Sequence, residues 1–117
     1  MVNDADCLFC KFVTGTLPTE VVAESDIAFA FRDINPQAPT HVLVVPRNHY
    51  ANVAELAAAS DSETAGVFQL AAEVAEREGI AQAGYRLVAN TGPAAGQTVF
   101  HAHIHVLGGV PMSWPPG

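Results

Sequence analysis

The sequence predicts a single α+β domain, in which helices pack on an antiparallel sheet. Residues 42–45 are uniformly apolar, mostly valine, and stop at Pro46, which is typical of a buried strand that we place at 41–45. Apolar residues recur at helical spacing between 61 and 78 and predict one long helix there. The chain has 117 residues, half of them hydrophobic, which suits one domain over 1–117 with a core of its own.

Two elements are predicted ahead of the buried strand. Asp4 and Asp6 are candidate caps for a short helix that carries both cysteines and ends at Gly15. Residues 27–31 then alternate large apolar side chains with small ones. This alternation has the period of a strand with one buried face, so we expect a half-buried strand.

The long helix has recognisable start and stop signals. Ser60 and Glu63 have the spacing of a capping box, in which each residue serves the other's backbone N–H. Gly79 follows the last apolar position of the helix and predicts its end. Residues 85–90 and 101–107 predict two further strands, joined by a glycine-containing loop.

The charge balance limits the partners. The net charge is −7 and the sequence pI is about 4.9, so we expect neither nucleic acid nor an anionic membrane surface to bind. An anionic ligand would need local backbone and side-chain donors. The sequence has no apolar run long enough to span a membrane, and its acidic start lacks a signal-peptide pattern, so we expect a cytoplasmic protein.

Three histidines at every second position form the most distinctive motif. His101, His103 and His105 share one face of a strand, with apolar residues on the other. Residues at this spacing lie about 6.5–7 Å apart, too far for three ligands of one zinc ion. A neutral imidazole can attack phosphorus while its neighbour supplies a proton. Solvent-facing polar residues, or one ligand of a catalytic metal centre, are the alternatives.

Cys7 and Cys10 form a C-x-x-C pair. Two cysteines are too few for a disulfide framework, which leaves metal binding, redox chemistry or simple burial. The βαβ pattern that accompanies thioredoxin-like redox pairs is absent from this sequence.

Together these motifs resemble the histidine triad (HIT) family, specifically its Hint branch. The resemblance covers nearly the whole chain and is carried by residues 33–41, 46–49, Asn90, 96–100, 101–109 and 114–117. It implies a HIT-like fold, with a five-stranded antiparallel sheet, one long helix and one short helix. It also implies a homodimer whose two sheets join into one, with a nucleotide site in each protomer.

The resemblance further implies hydrolysis of purine nucleoside 5′-phosphoramidates. The P–N bond would be cleaved through a covalent nucleotidyl-histidine, releasing a nucleoside monophosphate and an amine, without an organic cofactor. Dinucleoside polyphosphates or other nucleotide esters are the alternative substrates within the family. A nucleotide-binding regulatory module with little turnover is the alternative from another functional class.

Catalytic roles follow from the same resemblance. His103 would be the nucleophile, His105 would contact the phosphate and assist proton delivery, and His41 would support the nucleophile. Thr98 stands where the branch often has serine, and Phe100 where it often has tyrosine. The resemblance therefore specifies the type of reaction better than the preferred leaving group. The backbone N–H and hydroxyl groups that would hold the phosphate oxygens belong to Gly96, Gln97 and Thr98.

Five more residues would bind the nucleotide. Phe31 and Ile34 would line the base pocket, Asp33 would accept hydrogen bonds from the ribose hydroxyls, and Asn90 would contact the ribose–phosphate region. Trp114 would extend toward the partner's site and affect which leaving group is accepted. Each also has a structural interpretation: core for the two apolar residues, a turn for the aspartate, a loop tie for the asparagine and dimer packing for the tryptophan.

The resemblance also implies a structural zinc ion. Its ligands would be Cys7, Cys10, His49 and His101, a closed tetrahedral set. The ion would fasten the N-terminal helix to the sheet without taking part in the reaction. His101 would then be a ligand instead of a catalytic group.

Overall fold

A computed structural model describes residues 4–117 and shows the five-stranded antiparallel sheet that the resemblance implies, with helices on both of its faces. The strand order is β1-β2-β3-β5-β4. None of the helices in the described residues is long and apolar enough to cross a membrane. The elements are α1 (Leu8–Thr14), β1 (Val21–Glu24), β2 (Ala28–Arg32), β3 (Thr40–Pro46), α2 (Val53–Ala59), α3 (Asp61–Arg77), β4 (Tyr85–Val88) and β5 (Ile104–Gly108).

Each face of the sheet has its own apolar cluster. On one face α3 packs through Leu70 and Val74 against β3 and β5. On the other, α1 places Phe9 against Phe31 and Leu43. The central strands are therefore covered twice, and β2 and β3 are buried along almost their whole length. The expectation of a half-buried strand at 27–31 was wrong, because α3 covers the face of small residues that the alternation left open, while α1 covers the face of large ones.

The short helix begins differently from the prediction. Cys7, not Asp4 or Asp6, is the N-cap of α1, and its Sγ accepts a hydrogen bond from the Cys10 N–H at 3.4 Å. The Asp4 carboxylate instead accepts the Asp6 N–H at 2.9 Å. Gly15 ends the helix with a φ of 79°, as predicted. Residues 1–3, part of the acidic start noted in the sequence, lie outside the described residues.

The long helix α3 begins and ends where the sequence predicts. Ser60 caps it, accepting the Glu63 N–H at 3.1 Å, and Gly79 follows it with a φ of 73°. A second short helix, α2, was not predicted. Asn52 caps it by accepting the Glu55 N–H at 2.9 Å, and its end at Ser60 is the start of α3. This Asn-x-x-Glu signal was present in the sequence.

The histidine segment joins the sheet later than predicted. Strand β5 starts at Ile104, so His105 pairs with Leu43 on β3 and Val88 on β4. Residues 101–103 approach the sheet without joining its ladder. They are held by a 2.6 Å hydrogen bond from the Ala102 N–H to the carbonyl of Tyr50. Strand β1, at the edge beside β2, was also not predicted from its own residues.

Candidate active site and metal-binding group

The three histidines lie beneath α1, not in solvent. Ala102 and Ile104 belong to the core on the α3 face, so the alternating histidines point to the α1 face. The Phe9 ring lies 6.0 Å from the His101 ring and 5.2 Å from the His103 ring. His103 is only 7% exposed. A solvent-facing strand is therefore excluded as the explanation of this motif.

The backbone sets the tautomer of His103. Its Nδ1 lies 2.6 Å from the carbonyl oxygen of His101, so Nδ1 carries the proton and donates it there. Nε2 is then left with its lone pair. Burial lowers the pKa of His103, so the ring is neutral near pH 7. The result is an uncharged imidazole whose nucleophilic nitrogen is fixed by its neighbour in the chain.

His41 and His105 form a second, oppositely directed pair. The Gln37 N–H donates to His41 Nδ1 at 3.0 Å, so His41 carries its proton on Nε2. That Nε2–H points at Nδ1 of His105, 2.8 Å away, which leaves His105 protonated on Nε2. Burial lowers the pKa of both rings, that of His105 to about 4. His41 thus contacts the candidate proton donor, whereas the resemblance had placed it behind the nucleophile.

Asp33 completes this group without turning it into a metal site. Its Oδ2 lies 3.4 Å from His41 Nε2, and its Oδ1 accepts the Asn35 N–H at 2.8 Å. Asp33, His41 and His105 bring three potential ligand atoms close together. A metal ion would need the lone pair of His41 Nε2, but the Gln37 N–H keeps the proton on that nitrogen. The hydrogen-bond pattern therefore argues against a catalytic metal centre here.

A cavity of about 250 Å³ lies between α1 and the end of β2, and none of the five histidines is among the residues that line it. Phe31, Asp33, Ile34 and Thr98 all line it, together with Phe9, the ring that packs on His103. Ile34 is 94% exposed, so it is not a core residue, whereas Phe31 is both core and cavity wall. An apolar wall with one carboxylate at its rim suits a flat heterocycle attached to a sugar.

The loop before the histidines is held internally. Gln97 is buried; its Nε2 donates to the carbonyl of Ala51 at 2.8 Å and its Oε1 accepts the Gly92 N–H at 2.9 Å. The N–H groups of Gly96 and Gln97 donate to the carbonyls of Pro93 and Gly92. In this structure these two residues therefore do not offer donors to a phosphate, contrary to the expectation.

Thr98 is the member of this loop that keeps its donors available. In the described part of the chain, neither its N–H nor its hydroxyl has a hydrogen-bond partner. It is exposed and lines the 250 Å³ cavity. Asn90 lies two residues beyond Val88, the last residue of β4, which pairs with His105. Trp114 lies in the tail after β5 and is 81% exposed.

The four predicted metal ligands come together from three places in the chain. Cys7 and Cys10 belong to the start of α1, His49 follows β3, and His101 precedes β5. Their ligand atoms all lie within 4.8 Å of one another. His101 donates its Nε2–H to the carbonyl of Pro46 at 2.9 Å, which leaves Nδ1 facing the group. Burial raises the pKa of Cys10 to about 11 and lowers that of His101 to about 4, so both are neutral without a cation.

The spacing of these atoms fits a tetrahedral zinc ion. The two Nδ1 atoms, of His49 and His101, are 3.3 Å apart, and Cys10 Sγ is 3.5 Å from each of them. Cys7 Sγ lies 3.4 Å from His101 Nδ1. Ideal zinc–ligand bonds give tetrahedral edges of about 3.3 Å between two nitrogens and about 3.6 Å between nitrogen and sulfur. The donor set therefore has both the chemistry and the dimensions that zinc requires.

Comparison with known proteins places the chain in a family. A HIT domain model matches residues 14–112. The chain belongs to the HIT domain family. This HIT protein is 41% identical over 107 residues to a purine nucleoside phosphoramidase from Escherichia coli K12, covering 92% of this chain and 90% of the relative. It is 43% identical over 119 residues to a 14 kDa zinc-binding protein from Zea mays, covering 99% of this chain and 91% of the relative.

Solved structures agree with this assignment. A HIT family hydrolase from Clostridium thermocellum matches this HIT protein with a TM-score of 0.91 at 46% identity, covering 95% of this chain and 96% of that one. A HIT family hydrolase from Legionella pneumophila matches with a TM-score of 0.87 at 44% identity, covering 96% and 100%. Relatives that carry a functional name thus include hydrolases. The family model begins at Thr14, so the part of α1 before that residue lies outside the match.

Sequence analysis missed the groups that orient these histidines. The Gln37 N–H and the His101 carbonyl are main-chain atoms, so no residue type marks them. Tyr50 also holds the segment 101–103 through its carbonyl. The spacing of Glu63 from Ser60 was informative, but it indicated only a helix cap and not the other contacts of the Glu63 side chain.

Proposed function

We propose that this HIT protein hydrolyses the P–N bond of purine nucleoside 5′-phosphoramidates through a nucleotide bound covalently to His103. The observation that carries the proposal is the pair of complementary tautomers: His103 has a bare Nε2 and His105 a protonated one, on rings 5.0 Å apart. One can attack phosphorus while the other protonates the leaving nitrogen. The phosphoramidase from E. coli at 41% identity supports this choice of substrate class.

In the first step the Nε2 lone pair of His103 forms a bond to phosphorus. The P–N bond breaks, its electron pair goes to nitrogen, and that nitrogen takes the proton from Nε2 of His105. His103 acquires positive charge and keeps its Nδ1–H bonded to the His101 carbonyl. Giving up its single proton leaves His105 as an imidazolate until the second step, and the hydrogen bond that His41 donates to its Nδ1 stabilises this negative charge.

In the second step water attacks the phosphorus of the nucleotidyl-His103. The bond from phosphorus to Nε2 breaks, its electrons return to the ring, and the proton of the water goes to Nε2 of His105. The products are the nucleoside monophosphate and the starting tautomers of both histidines. Burial lowers the pKa of the His105 imidazolium, so the ring enters the reaction neutral near pH 7, with its single proton on Nε2.

The cavity between α1 and the end of β2 would hold the nucleoside. Phe31 and Ile34 would contact the base, and the exposed side of Asp33 would accept the ribose hydroxyls. Thr98, with its unpartnered N–H and hydroxyl, would hold a phosphate oxygen, and Asn90 would contact the ribose–phosphate region. Gly96 and Gln97 would contribute by shaping the loop that presents Thr98.

We also propose that Cys7, Cys10, His49 and His101 hold a structural zinc ion. The matching tetrahedral edges and the zinc-binding relative from Zea mays support this. When bound, the ion would cross-link α1 to the sheet and neutralise two thiolates; all four ligand positions are filled by protein, so it would take no part in the reaction.

We propose, finally, that the protein forms a homodimer. Strand β4 is an edge strand with unpaired backbone groups, and Tyr85 on it and Val110 beyond β5 are large exposed apolar residues. In such a dimer Trp114 would reach the partner's site and influence the leaving group.

The function is tested by comparing kcat/KM for adenosine 5′-phosphoramidate and diadenosine tetraphosphate. We expect a strong preference for the phosphoramidate, and an acid-quenched reaction should contain a nucleotide adduct that mass spectrometry maps to His103. Preference for the tetraphosphate would overturn the substrate class. Purine nucleotide binding without turnover of either compound would favour a regulatory module, and an adduct on another residue would show that the nucleophile is misassigned.

A further inference from the structure

The carboxylate of Glu63 accepts hydrogen bonds from the residues on both sides of His49. Glu63 lies in the first turn of α3, and its Oε2 accepts the Tyr50 hydroxyl at 2.6 Å. Its Oε1 accepts the Asn48 side-chain amide at 2.7 Å. This one carboxylate therefore links the residue before His49 and the residue after it to the same helix.

The same segment also holds the other imidazole ligand in place. The carbonyl of Tyr50 accepts the Ala102 N–H at 2.6 Å, directly beside His101 in the chain. The carbonyl of Pro46, just upstream, accepts His101 Nε2–H at 2.9 Å. Fixing residues 48–50 thus fixes His49 directly and His101 through the backbone.

Capping of α3 does not require this carboxylate. Glu63 contributes its backbone N–H to the Ser60 hydroxyl, and the Ser60 N–H, the usual target of a capping-box glutamate, instead donates to the Leu56 carbonyl at 3.1 Å. The side chain is thereby released for its contacts to Asn48 and Tyr50. The carboxylate also interacts with the Ser60 hydroxyl, but a change confined to it keeps the hydrogen bond from the Glu63 N–H to Ser60 Oγ that caps the helix.

We propose that Glu63 is a positioning residue for the metal-binding group, setting its affinity by holding His49 and His101 in ligating geometry before the ion arrives. The inference rests on the zinc assignment under Proposed function. Groups that orient metal ligands commonly change affinity about 10–100-fold when removed. Here one carboxylate with two acceptor atoms serves two donors, a role that a neutral amide with a single acceptor cannot fill.

The test compares the zinc affinity of Glu63→Gln with that of the wild-type protein by competition with a chromophoric chelator. We expect the variant to bind zinc about 10–100-fold more weakly. Tyr50→Phe removes one of the two contacts and should give a smaller loss. Glu73→Gln changes an exposed glutamate on the same helix and should leave the affinity unchanged. Cobalt(II) spectra check that each variant still uses two thiolates and two imidazoles.

The possible outcomes are distinguishable. Equal affinities of the wild type and Glu63→Gln, with the wild type binding one ion, would overturn this inference and leave the zinc assignment standing. A wild-type protein that binds no ion would overturn both. If Glu63 has only a structural role, the thermal stability of the metal-free protein falls while zinc affinity stays constant. If Glu63→Gln fails to fold, unchanged affinity in Tyr50→Phe would still contradict the proposal.

Discussion

His41 donates its Nε2–H to Nδ1 of His105 across 2.8 Å, and the direction of this bond is set by the Gln37 N–H on the far side of the His41 ring. The two rings come from neighbouring strands, β3 and β5, which the sheet register holds in a constant relation. His105 therefore carries its proton on Nε2, and its ring lies 5.0 Å from that of His103. Substituting His41 should therefore weaken proton delivery from His105 to the leaving group and leave the nucleophile, His103, unchanged.

Substitution of His41 should affect poor leaving groups most. His41→Leu removes the donor to His105, and we expect turnover of an alkylamine phosphoramidate to fall roughly 10–100-fold, less than most of the usual range of about 10²–10⁴-fold because His105 itself remains. A substrate with an arylamine, which leaves with less need of a proton, should lose much less. Steady-state kinetics with both substrates measure this. His41→Gln keeps an N–H donor and should recover part of the lost turnover. Equal losses for both leaving groups would contradict the role of His41 in proton delivery from His105.

Substitution of His103 should abolish the reaction and preserve binding. His103→Ala removes the atom that would bond to phosphorus, and we expect turnover to fall at least roughly 10³-fold. The nucleotide cavity is lined by other residues, so calorimetry should show that a purine nucleoside monophosphate still binds. Turnover that survives at the wild-type rate would show that another group attacks.

The pH dependence of stability should reveal the buried state of His105. Its pKa falls from an ordinary 6.5 to about 4 on folding, chiefly through burial, with the charges of His103 and His41 adding to the effect. Between these two pKa values the unfolded chain binds more protons than the folded protein. The free energy of unfolding should therefore decrease as pH falls from about 6.5 to 4. The loss reaches about 3 kcal/mol for this group.

Urea unfolding of wild type and His105→Gln, at a series of pH values and without metal, measures this contribution. The substituted protein should lose less stability than the wild type over that pH interval. Parallel profiles for the two proteins would show that His105 does not titrate abnormally. Activity should be level near pH 7 and decline only in acid, because His103 and His105 must both be uncharged.

Removing the metal should destabilise the protein before it affects chemistry. A protein saturated with zinc at about 1,000 times the dissociation constant gains about 4 kcal/mol over the metal-free form. We therefore expect a strong chelator to lower the midpoint of thermal unfolding, followed by circular dichroism. Below that midpoint activity should persist. Immediate loss of activity in a still-folded protein would instead indicate that the ion takes part in catalysis.

The Gln97 side chain should stabilise the loop that presents Thr98. Gln97→Ala leaves partly buried backbone groups of Ala51 and Gly92 without their partners, which costs about 1 kcal/mol or more. Because the loop would loosen, KM for the nucleotide should rise more than kcat falls. Gln69→Ala, an exposed position on α3, is the matched control and should change neither stability nor KM. A kcat-only effect would argue that Gln97 touches the reacting phosphate.

The sequence was most informative where one local rule acts alone. Helix α3 begins at Ser60 and ends at Gly79 because capping and glycine conformation are decided within a few residues. The uniformly apolar β3 could be read as buried without knowing what covers it. The ligand group of Cys7, Cys10, His49 and His101 depended on the family resemblance, because the histidines lie far from the cysteines in the chain.

The remaining features depend on tertiary contacts. Strand β2 alternates large and small residues, which indicates one buried face, but α3 covers the small-residue face as well. The N–H of Gln97 was expected to face phosphate, yet it donates to Gly92 within the loop. The tautomers of His41 and His103 depend on main-chain atoms, which the sequence does not distinguish.

The helix that covers the histidines is only seven residues long. A helix of that length is unstable by itself, so its persistence depends on Phe9 and on the proposed cross-link at Cys7 and Cys10. In native-state hydrogen exchange, the amides of β3 should open only with the whole molecule, whereas those of α1 should open locally. The supply of metal would then decide how often His103 is uncovered while the rest of the domain stays folded.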